Sequence, residues 1–417
     1  MAALDQLPYE TLTQILAGLS IADLNHTSLV SRTLATISEP LLYEAPSLSA
    51  LRTSKHRSSL ERFLRNLVGP RGHILGAQVR SLSVRWDHCS WQDTVTYTGT
   101  GWSIGFLRPA GFHGTHCVLL MHLLPSVLVL RISPPRDIPL LSQSYITHCL
   151  DPMDPAPHAS ASRPTLQLQS LREFSCPHER DRGGISFGAL LALMKLPSIR
   201  SIDTHIVYIP TFIPPPSSND SARFSSVTRL WLSTQTMSIP SLSFFLSAPV
   251  ALTSFSYQLL SYSGFRMVDL MDILSPLRPS LHHLHLDLIS AAISFTGGKD
   301  DCIRSSFRDW PVLQTLSCSL VELLGTTNPD VLPLLCLSEV LPHSLRGLNI
   351  LPDHYWVHEA AVHMVGDLLR QKEEAVPALE RLALGVTWDY NVDADAELQL
   401  ACMSAGVGLV EGDVFVW

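Results

Sequence analysis

The chain has 417 residues, of which 46% are hydrophobic and 16% charged, so it is long enough for one large core or two domains and is not a disordered chain. Its formal net charge is −8 with no long basic run, which argues against nucleic acid or an anionic membrane as the main partner. The eight cysteines form no C-x-x-C pair, and the opening MAALDQLPYE has neither a basic nor an apolar leader region. The expectation is free thiols in a reducing compartment, cytoplasmic or nuclear.

The most self-contained pattern runs from Leu4 to Leu34. Pro8 suits the first position of a helix, where its missing N–H costs nothing, and Glu10 follows in the first turn, where the helix dipole favours a carboxylate. Leu12, Ile15, Leu16 and Leu19 recur at i, i+3, i+4, i+7 and form one apolar stripe. Gly18 weakens that helix near its end. Ser20 with Asp23 three residues on reads as the cap of a second short helix, whose apolar face is Leu24. A third helix carries Leu29, Val30, Leu34 and Ile37 and is expected to end at Pro40. Three such helices in about forty residues bury little core, so the unit needs a partner surface.

The order LPxE…IL…L…DL…VSR…L is carried by Leu7, Pro8, Glu10, Ile15, Leu16, Leu19, Asp23, Leu24, Val30, Ser31, Arg32 and Leu34. Followed by PLLYEAPSL at 40–48, it resembles an F-box. Family members often have Cys after the Val and an aromatic near the last Leu, whereas this chain has Ser31 and Leu34. The resemblance implies docking onto a Skp-type adaptor, which joins such proteins to a cullin-based ubiquitin ligase. It also implies apolar contact with that adaptor from Leu7, Pro8, Ile15, Leu16, Leu24 and Val30.

After an amphipathic helix expected at 58–68, one motif recurs: apolar-x-x-apolar-x-apolar. Its second apolar positions are Leu82, Leu130, Phe174, Ile202, Leu230, Phe255, Leu284, Leu316, Leu348 and Leu382. From Phe174 onward they recur at a loose period of about thirty residues, and the first two intervals are wider and require insertions. The last three motif positions alternate as a strand with one buried face does. Helix-like stretches lie between, at 186–196, 265–277, 329–341 and 357–375. Strand, turn and helix repeated in this way imply a parallel sheet with helices on its outer side, and the pattern resembles an irregular leucine-rich repeat. The expected fold class is therefore α/β. A three-helix F-box-like module at 1–48 and a helical linker at 49–78 precede a leucine-rich-repeat-like solenoid with a parallel sheet at 79–417.

Pro- and Ser-rich stretches at 134–139, 151–164 and 214–220 read as surface loops, and LVEGDVFVW at the end alternates like one more strand. The apolar run at 117–132 is too short to span a membrane and is interrupted by His122 and Pro125.

Sites of chemistry are near misses. TGTGWSIG at 98–105 misses the dinucleotide spacing and reads as a loop. His358–Glu359 begins a zincin-like helix, but Val362 stands where the second His belongs and His363 falls one residue late. His354 and His358 share a helical face without completing a site. The run at 388–397 resembles a calcium loop through Asp389, Asn391, Asp393 and Asp395, but Ala394 replaces the required Gly and Leu400 the closing Glu. Asp393 or Asp395 reads better as a helix cap. No cofactor, metal or catalysis is expected.

One surface cluster stands out. In LHHLHLD, Leu284 and Leu286 point inward, so His283, His285 and Asp287 share the other, concave face of the array. Neighbouring strands place Asp203, His205, Arg229, Trp231, Thr315 and Arg381 on that face. Arg229, Trp231, His283, His285 and Arg381 are the candidate contacts for a target protein. The expectation is a substrate-recognition subunit of a Skp–cullin–F-box ligase. The alternative is a repeat scaffold unconnected to ubiquitin, with the opening helices as its cap.

Overall fold

The structure is a computed structural model of the chain. It describes residues 7–49, 59–85, 93–98, 101–106, 123–133, 168–176, 185–208, 225–234, 237–260, 267–288, 306–324, 335–352, 358–385 and 392–410. Two compact units divide the chain, Met1–Tyr208 and Ile209–Trp417.

The first unit opens with α1 (Tyr9–Ala17), α2 (Ile21–Ser28) and α3 (Arg32–Glu44). Pro8 is the residue before α1, with extended ψ, and its carbonyl accepts the Leu12 N–H at 3.0 Å. The second and third helices start on serine caps. Ser20 Oγ accepts from the Asp23 N–H at 3.2 Å, and Ser31 Oγ accepts from the Leu34 N–H at 3.2 Å. Ser31, a departure from the family pattern, thus satisfies a backbone donor that would otherwise be orphaned at the start of α3. Ser20→Ala and Ser31→Ala are each expected to destabilise the module by about 1 kcal/mol, read from urea unfolding followed by circular dichroism.

Pro40 lies inside α3 and does not end it. The helix continues because the residues after the proline are apolar and have somewhere to go. Leu41 and Leu42 pack against a core of Leu12, Leu16, Leu24, Leu34 and Ile37, which outweighs the one backbone bond that proline removes. From α3 the chain passes to α4 (Ser59–Val68) and α5 (Gly72–Gln78). The Tyr43 ring stacks on Phe63 with centroids 5.6 Å apart, Asn66 Nδ2 donates to Tyr43 Oη at 2.8 Å, and Arg71 pairs with Glu39 at 2.5 Å. These contacts join α3 to the two helices that follow it.

The strands of this unit are β1 (Ser47–Ser49), β2 (Ser81–Arg85), β3 (Asp93–Thr98), β4 (Gly101–Phe106), β5 (Val129–Ser133), β6 (Glu173–Cys176), β7 (Ile185–Ser186) and β8 (Ser201–Tyr208), and a further helix, Phe187–Met194, within the stretch 186–196 expected to be helical, joins β7 to β8. All but two pair in parallel, β1 with β2, then β5, β6 and β8, with β7 also on β8. The exceptions β3 and β4 form a separate antiparallel pair. This corrects the reading of 98–105 as a loop, since Thr98 closes one arm and Gly101 opens the other. The hairpin occupies part of the wide interval between Leu82 and Leu130. The proline-rich stretches at 134–139, 151–164 and 214–220 lie outside the described residues.

The second unit carries β9 (Arg229–Thr234), β10 (Ser254–Leu259), β11 (His283–Asp287), β12 (Thr315–Cys318), β13 (Gly347–Ile350), β14 (Arg381–Leu384) and β15 (Gly408–Leu409). Each is parallel to the next. Helices at Ile239–Ser247, Met267–Leu274, Leu337–Val340, His358–Arg370 and Val392–Ala405 alternate with the strands. The helical pattern at 357–375 is divided at Gln371, and of 329–341 only Leu337–Val340 is helical among the described residues. Asp393 and Asp395 fall inside the first turn of the last helix and not before it, which corrects their reading as caps.

Register makes the repeat explicit. Leu230, Phe255, Leu284, Leu316, Leu348, Leu382 and Leu409 are cross-strand partners in one row, and Leu82, Leu130, Phe174 and Ile202 form the equivalent row in the first unit. All ten expected anchors therefore stack in register. Just before each strand one carbonyl receives two N–H groups from the next repeat: Thr253 from His282 and His283, His282 from Gln314 and Thr315, Gln314 from Arg346 and Gly347. The core is the row of anchors plus the apolar residue opening each motif, Val227, Leu252, Leu281, Leu313, Leu345 and Leu379, all fully buried. No single strand–helix unit can cover its own apolar face, so stacking of neighbours holds the array together. Among the described residues no helix is long and apolar enough to cross a membrane.

Candidate functional site

Two surfaces carry the residues that the sequence singles out. The first is the helical module. Its core takes one narrow stripe, Leu12 and Leu16 from α1, Leu24 from α2, and Leu34 and Ile37 from α3. Leu16 and Leu24 are only 2% and 5% exposed, which corrects their expected place at an adaptor surface: they hold the three helices together. Leu7, Ile15 and Val30 are instead 38%, 45% and 55% exposed. The geometry explains the division. Ile15 precedes Leu16 by one residue, a rotation of about 100° on a helix, so the two cannot share the buried stripe. Val30 follows the end of α2 in the short turn to α3.

Tyr9, Leu19, Ile21 and Leu29 are exposed as well. Seven of the twelve exposed large apolar side chains among the described residues thus fall between Leu7 and Val30. The sequence reading placed Leu19 and Leu29 on apolar helix faces, because an apolar residue at helical spacing is assigned to a core by default, and it did not single out Tyr9 or Ile21. What identifies them is that so small a unit has no room for them inside. Clustered exposed apolar residues mark an interaction surface.

The second surface is the face of the second unit's sheet opposite the anchors. Register sets it out as rows. Arg229, Ser254, His283, Thr315, Gly347 and Arg381 form the row at the start of the strands. Trp231, Ser256, His285, Ser317, Asn349 and Ala383 form the next, and Ser233, Gln258 and Asp287 the third. All five expected target contacts therefore lie on one face. The Trp231 and His285 rings, two strands apart in sequence order, approach to 6.3 Å between centroids across Ser256. The small polar residues form a ladder: His283 Nδ1 with Thr315 Oγ1 at 2.7 Å, Asn349 Nδ2 donating to Ser317 Oγ at 3.0 Å, Ser233 Oγ donating to Gln258 Oε1 at 3.1 Å, and Gln258 Nε2 donating to Asp287 Oδ2 at 2.8 Å. Thr315, placed on this face from the sequence, is buried beneath its neighbours.

Asp203 and His205 belong to the first unit. Asp203 accepts from Ser175 Oγ at 2.9 Å, and burial raises its carboxyl above the usual range against that bond. His205 is buried, so it is not a surface contact.

Burial lowers the His283 imidazole below its ordinary value, and the positive charges of His282 and Arg381 lower it further. The sign of the linkage follows. An unfolded chain binds a proton at this histidine more readily than the native one, so its contribution is fully present above about pH 6.5 and is lost as pH falls toward the native value. Urea unfolding at about pH 7.5 and about pH 5.5 is expected to show less loss of stability on acidification for His283→Asn than for the parent chain.

Cys176 and Cys318 are buried, and burial, reinforced by Asp203, pushes the Cys176 thiol to about 12, so it stays protonated. Glu359 and His363 pair along one helix at 3.9 Å. Among the described residues no group of three or more His, Cys, Asp or Glu converges as a metal site. His354, Asp389 and Asn391 lie outside the described residues.

The sequence reading missed Glu322, which is 1% exposed. Its Oε2 accepts the Ser319 N–H at 2.7 Å, Ser319 Oγ accepts the Glu322 N–H at 3.3 Å, and its Oε1 accepts the Leu288 N–H at 2.9 Å. Ser-x-x-Glu at 319–322 is the signal of a capping box and was available in the sequence. The third bond, across to the end of β11, was not.

Compared with known proteins, residues 4–41 match the F-box domain family. None of the curated proteins compared with the chain matches it.

Proposed function

We propose that this chain, which carries an F-box domain at its N-terminus, is a substrate-recognition subunit of a Skp–cullin–F-box-type ubiquitin ligase and performs no chemistry itself. The carrying observation is that the matched segment, 4–41, holds most of the exposed large apolar side chains among the described residues. In this reading Leu7, Pro8, Ile15 and Val30 contact a Skp-type adaptor, joined by Tyr9, Leu19, Ile21 and Leu29. Leu16 and Leu24 support them from beneath. The repeat units are leucine-rich-repeat-like, and the face bearing Arg229, Trp231, His283, His285 and Arg381 captures a target protein. The adaptor and the cullin ligase place the chain in the cytoplasm, the nucleus or both. F-box domains are non-catalytic interaction modules, and this division of labour needs neither cofactor nor metal.

The test is a pull-down of the full chain, and of its Leu7→Ala/Pro8→Ala variant, with a purified Skp-type adaptor. The parent is expected to bind, and the variant to lose binding while keeping its helical content. A parent chain that does not bind would make the opening helices a cap on a repeat scaffold.

A further inference from the structure

The helix Val392–Ala405 is apolar on two opposite sides. It packs against the helix His358–Arg370 and buries Ala394, Leu398 and Cys402. Each residue turns a helix by about 100°, so Ala396, Leu400 and Met403 fall within about 40° of the point opposite Leu398. Leu400 is 67% and Met403 77% exposed, and Ala396 is exposed with them. Their spacing, i, i+4, i+7, is that of a stripe packed against another helix. A helix at the surface of a stacked array ordinarily turns a polar side outward. This one follows the last long repeat, ends at Gly406 with φ 66° and leads into the two-residue strand β15.

Charge is placed along one flank of the stripe. Glu397 and Ser404 lie seven residues apart and so share a helix side. Lys372, from the short helix Lys372–Ala375, stands across a groove from Ser404 and Ala405. The flank therefore carries a carboxylate toward the start of the stripe and an ammonium toward its end. The stripe itself runs from one short side chain, Ala396, to two long ones, Leu400 and Met403.

We propose that this stripe docks a second copy of the chain, the two helices lying antiparallel about a two-fold axis beside Leu400. In that arrangement Leu400 meets Leu400. Met403, about 4.5 Å along the axis, lies over Ala396 of the other copy, about 6 Å along its own axis in the opposite sense. The long side chain thus fills the space the short one leaves. The same rotation keeps each flank on its own side, so Glu397 of one copy comes beside Lys372 of the other, and each pairing occurs twice, as an isologous contact requires. A parallel pairing instead sets Ala396 against Ala396, which leaves a gap, and Glu397 against Glu397, like charge on like. The patch is at the small end of interface sizes, so the dimer is expected to be weak, with a Kd of about 1–100 μM. The apolar stripe supplies the affinity and the rim charges fix the orientation. The inference uses neither the opening helices nor the sheet face and stands apart from the adaptor reading.

The experiment is sedimentation velocity on the full chain across that concentration range, where the average mass is expected to rise from one copy toward two. Leu400→Glu/Met403→Glu, at two exposed positions and with folding checked by thermal melting, is expected to weaken association by about a hundredfold, because each new carboxylate must be desolvated on docking. Glu397→Lys is expected to weaken it by about fivefold, and Glu397→Lys/Lys372→Glu to restore it. Leu400→Cys is made in a Cys336→Ser chain, which removes the exposed Cys336 thiol and serves alone as the blank. It is expected to form a disulfide-linked dimer under mild oxidation, whereas Gln399→Cys, about 100° away round the helix, is not. A chain that stays monomeric throughout overturns the inference and leaves the stripe to the residues after Val410 or to a different protein. A dimer that the double glutamate variant leaves intact overturns it as well. So does a charge swap that restores nothing, or a Gln399→Cys variant that cross-links as readily as Leu400→Cys.

Discussion

Glu322→Ala is expected to destabilise the second unit by about 3 kcal/mol, more than most single substitutions. The carboxylate accepts the N–H groups of Ser319 and Leu288, and all of these groups are buried. Alanine leaves two buried backbone donors without this acceptor, at about 1–3 kcal/mol each. Removing a buried charge returns part of the cost of having desolvated it, which is why the expectation is not higher. Glu322→Gln keeps one good acceptor and turns an NH2 toward the other donor, so it falls between alanine and the parent. For a unit of this size about 3 kcal/mol corresponds to a melting shift of about 6–12 °C. The same comparison in urea is expected to move the midpoint at constant slope. An alanine variant that melts with the parent would mean that the bridge between the repeats does not hold them.

Leu16→Ala and Ile15→Asp, adjacent residues on α1, are expected to fail by opposite routes. Leu16 is 2% exposed within a five-residue core, and truncating it removes apolar burial and leaves a cavity, at about 2–5 kcal/mol. A three-helix unit has little stability in reserve, so this variant is expected to lose helical signal and protease resistance in the module together with adaptor binding. Ile15 is 45% exposed, so an aspartate there remains solvated when the module is free. That variant is expected to keep its helical content and to lose adaptor binding by about a hundredfold, because the new charge must be desolvated without a partner on docking. Circular dichroism with limited proteolysis separates the two, and the pull-down reads both. An Ile15→Asp variant that binds as the parent does would remove Ile15 from the docking face.

The same contrast shows how far the residues speak for themselves. Periodicity of two in the strands and the recurrence of Leu-x-x-Leu-x-Leu were enough to place all ten anchors, from Leu82 to Leu382, in one register per unit. An apolar side chain every second residue has only one face on which to be buried, and a parallel neighbour repeats the demand. The serine at position 20 and its partner Asp23 were equally legible, since a cap is a contact between residues three apart. The F-box pattern from Leu7 to Leu34 was readable for the same reason, since its signals are local and ordered, and the family match at 4–41 falls on it.

Other features depend on residues far apart in sequence. Whether Leu16 or Ile15 goes inward is settled by where α3 crosses α1, and whether α3 survives Pro40 by Leu41 and Leu42 finding that core. The hairpin of β3 and β4 arises from pairing that Gly-rich composition does not announce. Glu322 bonds to Leu288 across a repeat, and Trp231 meets His285 across Ser256. The sequence alone determined the repeat, its anchors and the identity of the opening module, because each follows from short-range spacing and the burial of apolar surface. The tertiary structure alone decided which apolar side chains stay outside, which carboxylate goes in, and how the cations and aromatics of one face are set against each other, because those outcomes depend on distances between strands and helices that no local pattern encodes.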